Sequence, residues 1–219
     1  MKELLELHEK IVNVMPDHLK QMVKERTYFA GGCVRDLVRL KEPNDYDIFF
    51  EKKEDMLVFC KYAESNKVFE KSPLGNIDWD FDNKKIQFIT LVSGSPNDVV
   101  SKFDFNINQV YFKPFTNKLL YRYGSEIKFN VKATAPISAL TRINKFLKMG
   151  YTISETQLLK MAVVIANSGV ITSQEDLEKR SNCISASQAL SVSGIIEELA
   201  SEIDMFKALG NGNKDEFPF

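Results

Sequence analysis

The sequence is poor in the residues that build disulfide frameworks and zinc sites. Its 219 residues include 3 cysteines and 2 histidines. Cys33, Cys60 and Cys183 are widely spaced, with no CxxC pair and no nearby pair of histidines, so we expect neither a disulfide framework nor zinc. A reducing, cytoplasmic location is the expectation that follows. His8 lies on the apolar face of a helix expected over residues 4–15, and we expect its role to be structural.

Long apolar runs and an excess of one charge are also missing. No segment reaches the roughly 18 apolar residues that cross a bilayer, and residues 1–15 carry charges throughout, so we expect no membrane helix and no signal peptide. The chain has 29 basic and 30 acidic residues, a net charge of -1, which gives no general attraction to nucleic acid or membranes. At 44% hydrophobic residues, it is long enough for one large or two small domains.

The most informative stretch is YFAGGCVRDLVRLKEPNDYDIFF, residues 28–50. It begins as a short apolar strand, stops at Gly31 and Gly32, and continues with the spacing of a helix over residues 33–40. A glycine turn in front of a helix lets backbone N–H groups approach a phosphate closely. The order strand, glycine turn, helix therefore indicates a phosphate-binding turn. The alternative is a tight turn with no ligand.

Asp45 and Asp47 open the next expected strand, over residues 45–50. Positions i and i+2 of a strand point to the same face, so the two carboxylates project together while Tyr46 and Ile48 point away. Two close carboxylates repel each other and favour a cation between them, and Mg²⁺ prefers oxygen ligands. The pair therefore predicts a metal site beside the phosphate turn, although aspartates also serve as helix caps or solvated strand ends.

The sequence GGCVRD followed by DYD resembles the nucleotidyltransferase superfamily that includes DNA polymerase beta. More narrowly, it resembles the head domain of bacterial-type tRNA CCA-adding enzymes and poly(A) polymerases, whose pattern is GGxVRD, a spacer and DxD. The resemblance implies an α+β fold with a small mixed β-sheet flanked by helices. It also implies two Mg²⁺ ions at Asp45 and Asp47, an NTP substrate with its phosphates at Gly31 and Gly32, and transfer of a nucleoside monophosphate with release of pyrophosphate.

The motif contains two further charged residues, Arg35 and Asp36. Arg35 would either reach a phosphate or pair with a carboxylate, and both roles stay open. Asp36, on the same helix, is expected to be a structural partner rather than a metal ligand.

The segment KFDFNINQVYF, residues 102–112, resembles the RRDFTINA motif of the same family. The resemblance places Lys102 at a phosphate and Asp104 and Asn108 near the ribose of the nucleotide. Phe103 replaces the second arginine of the motif, which removes an expected phosphate contact. A buried strand with an asparagine turn is the alternative.

A third carboxylate is often supplied to the metals by a neighbouring strand in this superfamily. The strand expected here, KIQFITL, has Gln87 at that position. Asp78 and Asp80 alternate on the preceding strand and are either substitutes or solvated hairpin charges. We also expect a short strand over residues 67–69.

Beyond residue 131 the sequence is predicted to be largely helical. The expected divisions are a head domain with N-terminal helices (1–131), a helical neck-like region (132–210) and a flexible tail (211–219). Helices are expected over 137–149, 154–167, 173–179 and 194–209, with a serine-rich segment at 181–193.

The segment at residues 135–154 resembles the first neck helix of the CCA-adding family, and Arg142 and Lys145 match its second and third basic positions if one residue is deleted. The family's base-reading acidic pair and arginine are replaced by Thr134, Ala135 and Ser138. A methyl group and a hydroxyl cannot make the same hydrogen bonds, so CCA-type nucleotide selection is not expected.

The leading hypothesis is thus a Mg²⁺-dependent nucleotidyltransferase whose resemblance to the family covers residues 27–155. We expect the body and tail domains that hold RNA in that family to be absent. An RNA or tRNA 3′ end, a protein side chain and a small molecule all remain open as acceptors, with RNA slightly favoured. The alternative is a binding or structural module that keeps the fold without catalysis. The oligomeric state stays open.

Overall fold

A computed structural model describes residues 1–73, 75–121, 124–131 and 136–167 of the chain, with backbone alone at 136–138 and 166–167. These residues belong to one unit, Met1–Val170. The helices expected over 173–179 and 194–209, the serine-rich segment and the tail lie outside the described residues. The division at residue 131 therefore stays a prediction.

Helices precede, separate and follow the strands along the chain, and they pack against the sheet. They are α1 (Lys2–Val14), α2 (Asp17–Arg26), α3 (Gly32–Val38), α4 (Lys53–Glu64), α5 (Pro96–Val100), α6 (Pro136–Lys148) and α7 (Glu155–Asn167). Ser95 caps α5, since its hydroxyl accepts a hydrogen bond from the backbone N–H of Asp98. In the part of the chain that is described, no helix is long and apolar enough to cross a membrane.

The strands form one seven-stranded mixed sheet and one small two-stranded sheet. They are β1 (Thr27–Ala30), β2 (Tyr46–Phe50), β3 (Glu70–Lys71), β4 (Ile77–Phe81), β5 (Lys84–Phe88), β6 (Tyr111–Lys113), β7 (Lys118–Leu120), β8 (Glu126–Ile127) and β9 (Thr152–Ile153). The large sheet has the order β3-β4-β5-β2-β1-β6-β7. Only β2 and β5 are parallel in it. The expected α+β fold with a small mixed sheet is confirmed.

The two faces of β2 have opposite character. Tyr46, Ile48 and Phe50 are buried in the main core, which α1, α2 and α4 cover. Asp47 and Phe49 point to the other face, as the strand alternation predicts. Phe49 packs there against residues of β1, β6 and α5. The metal-site candidate therefore lies on the face opposite the main core.

The prediction of a strand over residues 67–69 is wrong. Lys67 and Val68 form a turn, and the strand begins later, at Glu70. The reason is the ring of Phe69, whose centroid lies 5.6 Å from that of Phe59 and 5.2 Å from that of Trp79. Aromatic packing in the core, rather than local strand preference, determines the backbone here.

A second core joins the end of the sheet region to the neck-like helices. Its buried residues are Phe105, Ile107, Ile127, Phe129, Ala139, Ile143, Phe146, Tyr151 and Met161. Phe105, Ile107, Ile127 and Phe129 therefore pack in one core with residues of α6 and α7. The hydrogen bond from Arg142 of α6 to Asp104 adds a polar contact with the loop that follows α5.

Candidate metal and nucleotide site

Of the two aspartates of the DYD triplet, only Asp47 lies on the strand, because β2 begins at Tyr46 and not at the expected Asp45. Asp45 is exposed, immediately before β2, and Asp47 is partly exposed on the strand itself. Neither side chain has a hydrogen-bond or ion-pair partner among the described residues. The pair is therefore open to a ligand from outside the chain.

The surroundings of Asp47 make its charge unfavourable. Burial is the main cause that raises its pKa to about 7, and the negative charges of Asp45 and Asp78 raise it further. Arg142 and Lys145 act in the opposite direction and lower the pKa. A bound cation would stabilise the ionised form of Asp47 and reduce its repulsion with Asp45. The pair therefore fits the expected Mg²⁺. No group of three or more acidic, histidine or cysteine ligands exists within the described ranges.

Gln87 occupies the position beside Asp47 where a third carboxylate was sought. The parallel ladder of β2 and β5 pairs Asp47 with Gln87, and the antiparallel ladder of β4 and β5 pairs Gln87 with Asp78. The Gln87 Nε2 donates a hydrogen bond to Asp78 Oδ1 at 2.7 Å. Asp80 is exposed at the hairpin end of β4, as a solvated charge would be. Asp78 is thus connected to the site through Gln87.

The glycine turn indicated by the sequence is present in front of α3, but one of its backbone N–H donors is already used. Gly31 has a φ of 77°, which favours glycine, and an added Cβ would meet Phe103 Cε2 at 3.4 Å. Its backbone N–H donates to the carbonyl of Val110 at 3.0 Å. Gly32 begins α3, whose first N–H groups have no acceptor within the helix. Phosphate binding by this turn would therefore depend on Gly32 rather than on the Gly31 N–H.

Arg35 is held by a carboxylate and an amide within the protein. Its side chain is 4% exposed. Nε and Nη2 donate to the two oxygens of Asp36 at 2.7 and 2.8 Å, and Nη1 donates to Asn108 Oδ1 at 2.6 Å. The guanidinium also lies 5.2 Å from the ring centroid of Phe146 on α6. Of the two roles left open for Arg35, the geometry shows the pairing with a carboxylate. Asp36 is its structural partner, as expected.

The residues of the RRDFTINA-like segment are divided between two networks. Asp104 is buried and accepts a hydrogen bond from Arg142 Nη1 at 2.7 Å, which links the segment to α6. Asn108 belongs to the Arg35 network. Lys102 is exposed in the turn after α5, and no described contact brings it to the aspartate pair. Lys145 is exposed on α6, close enough for its charge to act on Asp47.

The replaced base-reading positions receive no structural test. Thr134, Ala135 and the side chain of Ser138 lie outside the described residues. The loss of CCA-type selection therefore stays a prediction from the sequence.

Sequence reasoning missed the residues that anchor the strand next to Asp47. Lys84 Nζ donates to the hydroxyl of Tyr46 at 2.8 Å and to Glu3 Oε1 at 2.7 Å. Burial and the hydrogen bond to Glu3 raise the pKa of Tyr46 to about 12. Glu3 and Lys84 are far from Tyr46 in sequence, so no local pattern could have indicated the cluster. It fixes β2 from the face opposite the carboxylates.

His8 is structural, as predicted. Its Nε2 lies 3.1 Å from both the carbonyl oxygen of Val23 and the hydroxyl oxygen of Thr27. Burial lowers its pKa to about 4, so the ring is neutral at physiological pH.

Solved structures with the same architecture identify the class of fold. The complex of a CCA-adding enzyme with CTP superposes with a TM-score of 0.54 and 17% identity, covering 81% of this chain and 46% of that chain. The complex with ATP gives 0.53 and 19%, covering 82% and 47%. The Thermotoga maritima CCA-adding enzyme bound to tRNA gives 0.51 and 17%, covering 73% and 45%. The chain thus has a nucleotidyltransferase-like fold.

Sequence comparison identifies the family within that class. The family model described as "Gabija anti-defense 2 family protein" matches residues 5–129, which is more than half of the chain. This chain belongs to the Gabija anti-defense 2 family. A protein of Bacillus phage SPbetaL7 named "Gabija anti-defense 2" is 24% identical over 166 residues, covering 72% of this chain and 42% of that protein. The chain spans less than half the length of these relatives.

Proposed function

We propose that this chain is a Mg²⁺-dependent nucleotidyltransferase that moves a nucleoside monophosphate from an NTP to an acceptor hydroxyl and releases pyrophosphate. The observation that carries the proposal is that the side chains of Asp45 and Asp47 have no hydrogen-bond or ion-pair partner among the described residues, with Asp47 on the face of β2 opposite the main core. Such a pair is unfavourable without a cation, and the raised pKa of Asp47 is the physical sign of it. The nucleotidyltransferase-like fold supports the same chemistry.

Each part of the site would have a separate task. Asp45 and Asp47 would hold the two Mg²⁺ ions that the family resemblance implies. Bound Mg²⁺ supplies Lewis-acid chemistry, which lowers the pKa of an acceptor hydroxyl and stabilises the charge on leaving pyrophosphate. Arg142 and Lys145, whose charges already act on Asp47, would attract the triphosphate. Asp104 would keep Arg142 in place through their hydrogen bond at 2.7 Å.

We further propose that the acceptor is a component of the defence that the family name describes. The phage relative carries the name of an anti-defense protein directed at Gabija. An RNA or tRNA 3′ end, which the motif resemblance slightly favoured, is the alternative acceptor. The structures of CCA-adding enzymes with CTP and ATP support an NTP as the donor.

The second candidate is a binding module that has kept the fold and lost catalysis. Two observations favour it: the N–H of Gly31 is already bound to Val110, and no three-ligand metal group exists among the described residues. In this case the protein would act against the defence through its surface alone. Activity against Gabija would then persist without the aspartate pair.

Transfer of label from the NTP tests the first proposal. The full chain is incubated with Mg²⁺ and each NTP labelled at the α-phosphate, in extracts of cells with and without Gabija, and the RNA and protein fractions are then separated. We expect label in one fraction, lost to background in Asp45→Asn/Asp47→Asn and retained in Asp80→Asn. Asp80 is a matched control because it is an exposed carboxylate on the neighbouring hairpin.

The outcomes separate the two candidates. Equal transfer by the double variant would show that the aspartate pair is not the site. The binding module would be favoured if no label were transferred and the double variant still had full activity against Gabija.

A further inference from the structure

Gln87 lies between two carboxylates on neighbouring strands. It is paired with Asp47 across the parallel ladder and with Asp78 across the antiparallel ladder. Adjacent strands are about 4.8 Å apart, so the three residues form one row on the same face of the sheet. The row is continuous with the proposed metal site.

Asp78 is poorly placed to bind the same cation as Asp47. Two strand spacings, or about 10 Å, separate the two backbones. Both of its oxygens already face groups of β5: Oδ1 accepts from Gln87 Nε2 at 2.7 Å, and Oδ2 lies 3.8 Å from Lys85 Nζ. The carboxylate of Asp78 is therefore engaged with its neighbouring strand.

The same hydrogen bond determines which atom of Gln87 is left over. Because Nε2 is committed to Asp78, the Oε1 atom remains as an acceptor, and no donor among the described residues bonds to it. A carbonyl oxygen of this kind is a suitable ligand for Mg²⁺ and Mn²⁺. It adds a ligand without adding a negative charge.

We propose that Gln87 is a neutral oxygen ligand of the cation held by Asp45 and Asp47, and that Asp78 orients its amide. The inference rests on the proposed function. Two carboxylates and one amide carry less negative charge than three carboxylates would. Two nearby cationic side chains of α6 offset part of that negative charge. The site then binds the divalent cation weakly alone and tightly with the triphosphate, which supplies the missing charge and ligands.

Binding of Mn²⁺ to the full chain, measured by the EPR signal of the free ion, tests this without any turnover. Titrations are made with Mn²⁺ alone and with a non-hydrolysable analogue of each NTP. We expect Gln87→Leu to weaken Mn²⁺ binding in the presence of the analogue about tenfold. Gln87→Glu should tighten binding of Mn²⁺ alone about tenfold, because it adds a charged ligand.

Variants of Asp78 test the orienting role. Asp78→Ala should weaken binding with the analogue about tenfold, since the amide is then free to turn. Asp78→Asn retains an oxygen that accepts from Gln87 Nε2, so it should restore native binding. Thermal melting in the absence of metal confirms that each variant is folded.

The results distinguish failure of the inference from failure of the proposed function. If the native chain binds Mn²⁺ with an analogue and Gln87→Leu binds it equally well, the inference is overturned and the proposed function stands. If the native chain binds no Mn²⁺ with any of the four analogues, both are overturned.

Discussion

At the scale of single residues, Asp47 is where burial and charge conflict. It combines partial burial with the negative charges of Asp45 and Asp78, and its pKa is raised to about 7. No side chain among the described residues pairs with it directly. A residue of this kind destabilises the fold at neutral pH unless a ligand compensates for it, which is typical of a functional site.

The raised pKa predicts how stability depends on pH. The ordinary aspartate value of 3.8 applies to the unfolded chain, and the folded value is about 7. The unfolded state therefore loses its proton first, and the unfolding free energy should fall as pH rises from about 4 through 7. Urea unfolding of the native chain and of Asp47→Asn, without divalent cations, measures the difference.

We expect Asp47→Asn to be at least as stable as the native chain above pH 7, although it should bind no Mg²⁺. Added Mg²⁺ should suppress the fall in the native chain only. A difference between the two proteins that does not change with pH would contradict the raised pKa.

Arg35 gives a second prediction at this scale, because its two possible roles have different consequences. Arg35→Met removes the bidentate partner of Asp36 and the donor to Asn108. Breaking a buried pair in this way typically destabilises a protein by about 3 kcal/mol. Urea unfolding should show a loss of this size, partly recovered in Arg35→Met/Asp36→Leu. Unchanged stability with weakened NTP binding would instead assign Arg35 to a phosphate.

At the scale of elements, β2 connects the core to the site. Its inward residues are buried under α1, α2 and α4, and Tyr46 is anchored by Lys84 and Glu3. Asp47, one of the two residues of β2 that face away from the main core, is consequently fixed in direction. Packing on the core side of β2 therefore fixes the backbone that carries the Asp47 carboxylate.

The helix α6 supplies the positive charge, and its contribution is testable at one exposed residue. Lys145→Glu reverses a charge that acts on Asp47 and would repel the triphosphate. We expect binding of Mg²⁺–NTP to weaken about tenfold, with little change in stability because the side chain is exposed. Lys148→Glu, the same change at another exposed position of α6, is the control. Equal effects of the two variants in calorimetry would argue against a specific role for Lys145.

Local sequence patterns predicted the individual elements better than they predicted which elements lie next to each other. Strand alternation predicted that Asp47 lies on the face opposite Tyr46 and Ile48, because alternation is a property of the strand alone. The row of Asp47, Gln87 and Asp78 depends on the order of β4, β5 and β2, which no local pattern reveals. The pairing of Asp104 with Arg142 likewise needs the packing of α6 against the sheet region.

At the scale of the whole molecule, the fold and the family name are two separate findings. The fold is nucleotidyltransferase-like, whereas the family carries the name Gabija anti-defense 2. The motif resemblance predicted the first and contained no sign of the second. The fold follows from backbone geometry and core packing, but the choice of partner depends on surfaces that short motifs do not describe.

The central claim is that Asp45 and Asp47 form a site for Mg²⁺ and an NTP, and isothermal titration calorimetry tests it most directly. The full chain is titrated with each of the four NTPs in the presence of Mg²⁺. We predict saturable heat with at least one NTP, no heat with Asp45→Ala/Asp47→Ala, and native behaviour with Asp80→Asn. No heat from the native chain with any NTP, or equal heat from the double variant, would contradict the claim.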